Sequence, residues 1–208
     1  RRLLIFWGLM KSRKTNSVYF FGPGEIAAPV GIYKGRWLWF LEALDKSNIN
    51  GKIITTNFMH STKKSYHKSF PNYILLDSGF YQENISFGRF LYNAKFVINA
   101  FIWILKNKKA FDRSCFVINA IPPESFLIAI AARLVGVNKL IVDVRDMWPP
   151  KRECNKEKDL IKILWGFYSH VLTAILLNMS DHQLYTSRSY EDRLSIKKRI
   201  FLPLGIDV

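Results

Sequence analysis

With 208 residues the chain is long enough for one well-buried domain and too short for two substantial ones. Its 49% hydrophobic and 23% charged residues exclude wholesale disorder. A formal net charge of +15, from 31 Lys and Arg against 16 Asp and Glu, favours an anionic partner: nucleic acid, anionic lipid, or a sugar nucleotide or lipid diphosphate. The two cysteines, Cys115 in an apolar run and Cys154 in a polar loop, form neither a disulfide framework nor a metal-ligand spacing, which fits a reducing cytosol.

Residues 1–16 form a basic and apolar N-terminal segment, set apart from the domain expected over 17–208. Its apolar part is followed by Lys11, Arg13 and Lys14 rather than by a small-residue cleavage site, so it does not read as a signal sequence. Val18 to Phe21 is a first strand, closed by Gly22, Pro23 and Gly24. A glycine-rich loop runs to Gly31, and Tyr33 to Leu44 carries Trp37, Phe40, Leu41 and Leu44 at helical spacing. The strand Lys52 to Thr56 completes a βαβ unit. Gly22, Gly24 and Ala27 match the G-x-G-x-x-A spacing of dinucleotide sites, but Pro29 falls inside the helix such a site requires. No acidic residue ends the second strand to hold a ribose, so a nicotinamide or flavin site is not supported.

His60 to Lys68 is polar and basic and reads as a surface loop that is either simply solvated or meets an anionic acceptor or lipid headgroup. Tyr73 to Leu76 is a third strand. Phe87 to Leu105 is one long helix whose apolar positions nearly surround it, which suits packing on a sheet or lying on a bilayer surface; Asn93, Lys95 and Asn99 argue against spanning. Cys115 to Ile121 is a fourth strand, and the turn at Pro122, Pro123, Glu124 and Ser125 leads into a helix that Gly136 ends after Leu134. Leu160 to Met179 is a second strongly apolar helix, interrupted by Lys162, His170 and Asn178. His182 to Thr186 is a strand, Ser187 caps a polar helix over Ser189 to Leu194, and Ile200 to Leu202 is the last strand.

The most informative stretch is Leu140 to Pro150, LIVDVRDMWPP. Its apolar run has the length and branching of a buried strand, and charge begins where the strand stops. In an open parallel sheet, ligands bind outside the carboxyl ends of the strands, so Arg145 and Asp146 stand at the mouth of a site. A second reading remains open: Asp143 and Arg145 lie two apart on one strand face and would pair, with Trp148 packed on the sheet edge. Alternation of strands and helices gives an α/β fold, a Rossmann-like parallel sheet flanked by helices.

The run VDVRDMWPP, the PPE turn at Pro122, Pro123 and Glu124, and the terminal LGID of Leu204 to Asp207 together resemble the N-terminal, acceptor-binding half of GT-B glycosyltransferases. Within them the chain is most similar to family 4 retaining enzymes of bacterial surface polysaccharide biosynthesis. The resemblance implies transfer of a sugar from a nucleotide-sugar donor to a lipid-linked or saccharide acceptor, with no cofactor and no bound metal. It implies that a C-terminal donor domain lies beyond this chain and that the 208 residues alone turn over no donor. It makes Asp146 the residue facing the acceptor hydroxyl. Arg145 would hold an anionic acceptor or lock Asp146 in place, Trp148 would shape the pocket wall, and Pro123 and Glu124 would border it. The loop of Gly24 and Gly31 would lie beneath the donor diphosphate, where backbone N–H groups meet anionic oxygens. Such a protein would work in the cytoplasm, with the inner face of the plasma membrane as a further partner. Nucleic acid is disfavoured because the aromatics sit in apolar elements rather than beside the basic residues. The competing reading is a non-catalytic membrane-associated subunit that docks to a separate donor domain.

Overall fold

A computed structural model of the chain describes residues 15–31, 35–83, 86–145, 160–196 and 198–202. The predicted strands form in the predicted order. Ser17–Phe21 is β1, Asn50–Thr56 is β2, Tyr73–Leu76 is β5, Ser114–Asn119 is β6, Lys139–Val144 is β7, His182–Tyr185 is β8 and Arg199–Phe201 is β9. They make one seven-stranded sheet in the order β5-β2-β1-β6-β7-β8-β9, and each neighbouring pair is parallel. Parallel strands buried on both faces need near-continuous apolar sequence, and β1, β6 and β7 supply it as SVYFF, SCFVIN and KLIVDV.

The strand order reverses direction between β1 and β6. Crossovers run outward to β2 and β5 on one side and to β7, β8 and β9 on the other. That reversal leaves a crevice at the carboxyl ends of the two strands, between the loop after β1 and the turn after β6. Four α-helices cover the sheet: α1 is Arg36–Asp45, α2 is Phe87–Lys106, α3 is Phe126–Leu134 and α4 is Leu160–Met179. One face packs α1 through Trp37, Phe40, Leu41 and Leu44 onto Val18, Phe20, Ile53, Cys115, Val117 and Ile141. The other packs α2, α3 and α4 onto Phe21, Phe116, Ile118, Leu140, Val142 and Val144. Each fully buried aromatic or aliphatic side chain contributes about 1.5–3 kcal/mol, so the core of both faces is the main stabilising term.

Four sequence expectations are corrected. The basic stretch from His60 is not a simple loop: Phe58–Met59 (β3) and Lys64–Ser65 (β4) pair as a small antiparallel hairpin, whose apolar start packs Met59 against Ile26. The expected strand to Ile121 ends at Asn119, where the Asn119 side chain takes over as acceptor for the Ile121 N–H through Oδ1 at 3.1 Å. The polar helix after Ser187 is a 3-10 helix, Arg188–Arg193, with the Ser187 hydroxyl accepting from the Ser189 N–H as the cap. Helix α2 is amphipathic rather than surrounded: Tyr92, Phe96, Val97, Ala100 and Ile104 are buried, while Phe87, Leu91 and Ile98 are exposed. No helix among the described residues is long and apolar enough to cross a membrane.

Candidate active site

The loop after β1 is shaped by glycine. Gly22 stands where a Cβ would come within 2.7 Å of the Trp37 ring, so only glycine lets α1 approach the end of β1 so closely. Gly24 and Gly31 both have positive φ, +89° and +79°, and frame a short 3-10 turn, Glu25–Ala27. That turn directs Glu25 inward, and the Glu25 N–H donates to Thr55 Oγ1 at 3.1 Å, which ties the loop to β2.

Across the crevice, β7 alternates. Leu140, Val142 and Val144 face α2 to α4, whereas Ile141 and Asp143 face α1. Asp143 is fully buried and is the hub of a charged network. Trp37 Nε1 donates to its Oδ2 at 2.9 Å, Arg145 Nε donates to the same oxygen at 3.0 Å, and Arg36 Nη1 lies 3.1 Å from Oδ1. The second arm of Arg145 donates to Glu25 Oε1 at 2.5 Å, and its guanidinium lies 4.5 Å from the centre of the Trp37 ring. One arginine therefore joins the end of β7 to the loop after β1. The backbone beneath it is fixed as well, since Thr186 Oγ1 donates to the Arg145 carbonyl at 3.0 Å.

Protonation follows from these contacts. Burial opposes ionisation of Asp143, and the attraction of Arg36 and Arg145 outweighs it, so its carboxyl titrates below the usual aspartate range. Glu25 goes the other way: burial raises it, and Arg145 only partly compensates. Burial lowers Arg36, while its two anions push Arg145 above the usual arginine range despite its own burial. Where Glu25 holds its proton, this network of two guanidiniums and one carboxylate carries one net positive charge. Nη2 of Arg36 and of Arg145 are both buried and have no hydrogen-bond partner among the described residues.

The turn after β6 builds a second, different site. Pro123–Ser125 is a 3-10 turn ahead of α3, and it places Glu124 against α4, where the Tyr168 hydroxyl donates to Oε1 at 2.9 Å. Glu124 is only 6% exposed, so it is not a solvated acid at a helix start. Burial raises its pKa, with the Tyr168 hydrogen bond opposing weakly, and Oε2 is buried without a partner among the described residues.

Of the residues singled out by sequence, Arg145, Gly24 and Gly31 fall in or beside the charged network's loop and strand, and Pro123 and Glu124 fall on the α4 side of the crevice. Asp146 and Trp148 lie outside the described residues. The pairing of Asp143 with Arg145 holds, and the same guanidinium also reaches the site loop. Sequence reasoning missed Glu25, Arg36 and Trp37. The available signal was a glutamate directly after a turn glycine, and an arginine opening an otherwise apolar helix. Among the described residues no group of three metal-ligating side chains occurs.

No protein-family model and no curated protein sequence matches the chain. Its structure is similar to that of a sucrose-phosphate synthase from Thermosynechococcus elongatus, with a TM-score of 0.54 over 92% of this chain and 90% of that one, at 13% identity. The chain shares with it an α/β, Rossmann-like fold, a seven-stranded parallel sheet flanked by helices. At that identity the shared property is the fold, and the residues of the site have to speak for the chemistry.

Proposed function

We propose that this chain is the acceptor-side domain of a retaining glycosyltransferase, moving a sugar from a nucleotide-sugar donor to a lipid-linked or saccharide acceptor in bacterial surface polysaccharide synthesis. The observation that carries this reading is the pair Arg36 and Arg145, whose buried Nη2 atoms, without a hydrogen-bond partner among the described residues, sit beside a positive-φ glycine loop at the strand-order reversal. As the glycosidic bond to the donor breaks, negative charge develops on the leaving diphosphate, and fixed cationic donors in a water-poor crevice stabilise it. Asp143 orients both guanidiniums and Glu25 sets the loop. Asp146, one residue past Arg145, is the acceptor-facing carboxylate of this reading: it orients the attacking hydroxyl on the face from which the diphosphate departs, and the hydroxyl proton passes to an oxygen of that leaving diphosphate, so that configuration is retained. Glu124, whose carboxyl burial shifts upward, offers Oε2 to a further acceptor hydroxyl. No step requires a metal or cofactor.

The test is turnover of a panel of nucleotide sugars with undecaprenyl-diphosphate-linked acceptors by the natural full-length protein, beside its Asp146→Ala and Arg36→Met variants. Donor-dependent product that falls at least a hundredfold in both variants, on the order of one lost transition-state contact each, supports the assignment. Full activity in Asp146→Ala removes Asp146 from the chemistry. We also infer that the 208 residues alone turn over no donor; product from them would place the donor site within this chain.

A second reading is favoured by the exposed Phe87 and Leu91 of α2 and Leu164, Trp165 and Phe167 of α4, brought together where Phe90 meets Trp165 at 5.7 Å between ring centres. Apolar side chains of this number beside a chain of charge +15 suit the anionic inner face of a plasma membrane. Flotation with phosphatidylglycerol vesicles, without turnover of any donor by the full-length protein, would make the chain a membrane-associated docking subunit instead.

A further inference from the structure

Four aromatic rings run in a row from the first turn of α2 to the middle of α4. Phe87 stacks on Phe90 at 5.9 Å between ring centres, Phe90 meets Trp165 edge-on at 5.7 Å, and Trp165 lies 5.3 Å from Tyr168. Residues three apart share a helix face, so each helix presents its pair together. Phe87 is 72% and Trp165 41% exposed, so the row opens to solvent. Its inner end is polar. The Tyr168 hydroxyl donates to Glu124 Oε1 at 2.9 Å. Burial, and then the carboxyl beside it, push that hydroxyl above the usual tyrosine range, so it keeps its proton and directs it at Glu124. The phenolic oxygen still has acceptor capacity for an incoming hydroxyl. Behind it, Glu124 Oε2 and Ser125 Oγ are buried and have no hydrogen-bond partner among the described residues.

A row of this kind fits a partner that is apolar on its faces and polar at its rim. An acyl chain covers the rings but gives nothing to the tyrosine oxygen, and covering a polar group without a partner is costly. An anionic membrane also calls for cations around the rings. The 20 residues of α4 include one lysine and no arginine, and on α2 Lys95 is already paired with Asp77. A pyranose meets both demands. Its C–H faces suit the negative face of an aromatic ring, and its hydroxyls donate to an acceptor at the end of the row.

We propose that Phe87, Phe90, Trp165 and Tyr168 form a saccharide-binding strip, along which successive sugar rings of an oligosaccharide lie, with a hydroxyl of the innermost one donating to Tyr168 Oη. Glu124 is its positioning residue: by accepting the tyrosine proton it fixes the direction in which Oη can accept. That this saccharide is the acceptor rests on the glycosyl-transfer reading, and the strip then makes the acceptor a chain of several sugars. The strip itself does not rest on that reading.

Binding without donor tests it. Tetrasaccharides of glucose, galactose, N-acetylglucosamine and rhamnose are added to the whole chain, and saturation-transfer nuclear magnetic resonance reads which sugar protons touch it. The expected result is transfer to the C–H protons of at least one tetrasaccharide. Its affinity should fall about tenfold in Trp165→Leu, which keeps apolar bulk without the ring, and in Tyr168→Phe, which keeps the ring without the hydroxyl. It should be unchanged in Phe167→Leu, at an exposed aromatic of α4 outside the row. If none of the four binds, or if the three variants bind alike, the strip is wrong. It is equally wrong if phosphatidylglycerol vesicles alone are captured and Tyr168→Phe captures them as well as the parent does. Because no donor is present, saccharide binding as expected with no turnover by the full-length protein would count against the glycosyl-transfer reading alone.

Discussion

Two buried carboxyls, Asp143 and Glu124, are shifted in opposite directions at the same edge of one sheet. Asp143 is fully enclosed, yet two guanidiniums and an indole N–H face it, so it stays ionised below the usual aspartate range. Glu124 is nearly as enclosed, a backbone N–H and the Tyr168 hydroxyl only partly offset its burial, and its carboxyl is pushed upward. Burial acts the same way on both; the neighbours decide. One crevice therefore has, on its α1 side, a fixed ionic scaffold suited to an anionic leaving group. On its α4 side it has a buried carboxyl shifted upward, toward the neutral form.

The sharpest way to break this contrast is to make the same atomic change at both positions. Asp143→Asn removes the charge that Arg36 and Arg145 share, leaving buried guanidiniums uncompensated, and should cost about 3–5 kcal/mol in urea unfolding. Glu124→Gln replaces a carboxyl that burial already shifts toward its neutral form by a neutral group of the same shape and should cost less than about 1 kcal/mol. Equal losses would mean that both acids are ionised, or neither.

The pH dependences should differ in sign. Asp143 is depressed in the fold, so its contribution is present above the unfolded aspartate value, about 3.9, and is lost as pH falls through its lower folded value. Glu124 is raised in the fold, so the folded state binds the extra proton. Its contribution is present below the unfolded glutamate value, about 4.3, and is lost as pH rises through the higher folded one. Stability measured against pH should accordingly decline less on the alkaline side in Glu124→Gln than in the parent chain. An unchanged slope would show that Glu124 titrates normally.

The fold was legible in the sequence because its signals are local. Runs such as SVYFF and KLIVDV, each closed by a turn or by charge, are buried strands whatever surrounds them, and the alternation of strands and helices leaves little topology to choose. Arg145 was legible as a charge at a strand end, and its pairing with Asp143 followed from a spacing of two. The rest of the network was not, because it joins residues as far apart as Glu25 and Arg145, and nothing local to Glu25 says that an arginine from β7 will reach it. Arg36 was hidden for a related reason: an arginine at a helix start reads as solvated until the buried aspartate opposite is known. The basic hairpin was misread because Phe58 and Met59, which anchor it, belong to cores that only the tertiary fold assembles.

The smallest effect sharpens the comparison from the Glu124 side. Tyr168→Phe deletes one hydroxyl, and that hydroxyl both hydrogen-bonds Oε1 and slightly favours the ionised form of Glu124. Its loss leaves Oε1 without this donor, at about 1 kcal/mol, and moves Glu124 further up, so the alkaline-side decline of stability, which starts at the unfolded glutamate value in both chains, should continue to higher pH than in the parent. In Glu124→Gln the same tyrosine change should leave the pH profile alone, because there is no longer a proton to shift. A profile that moves in that double variant would put the titrating group elsewhere on α4.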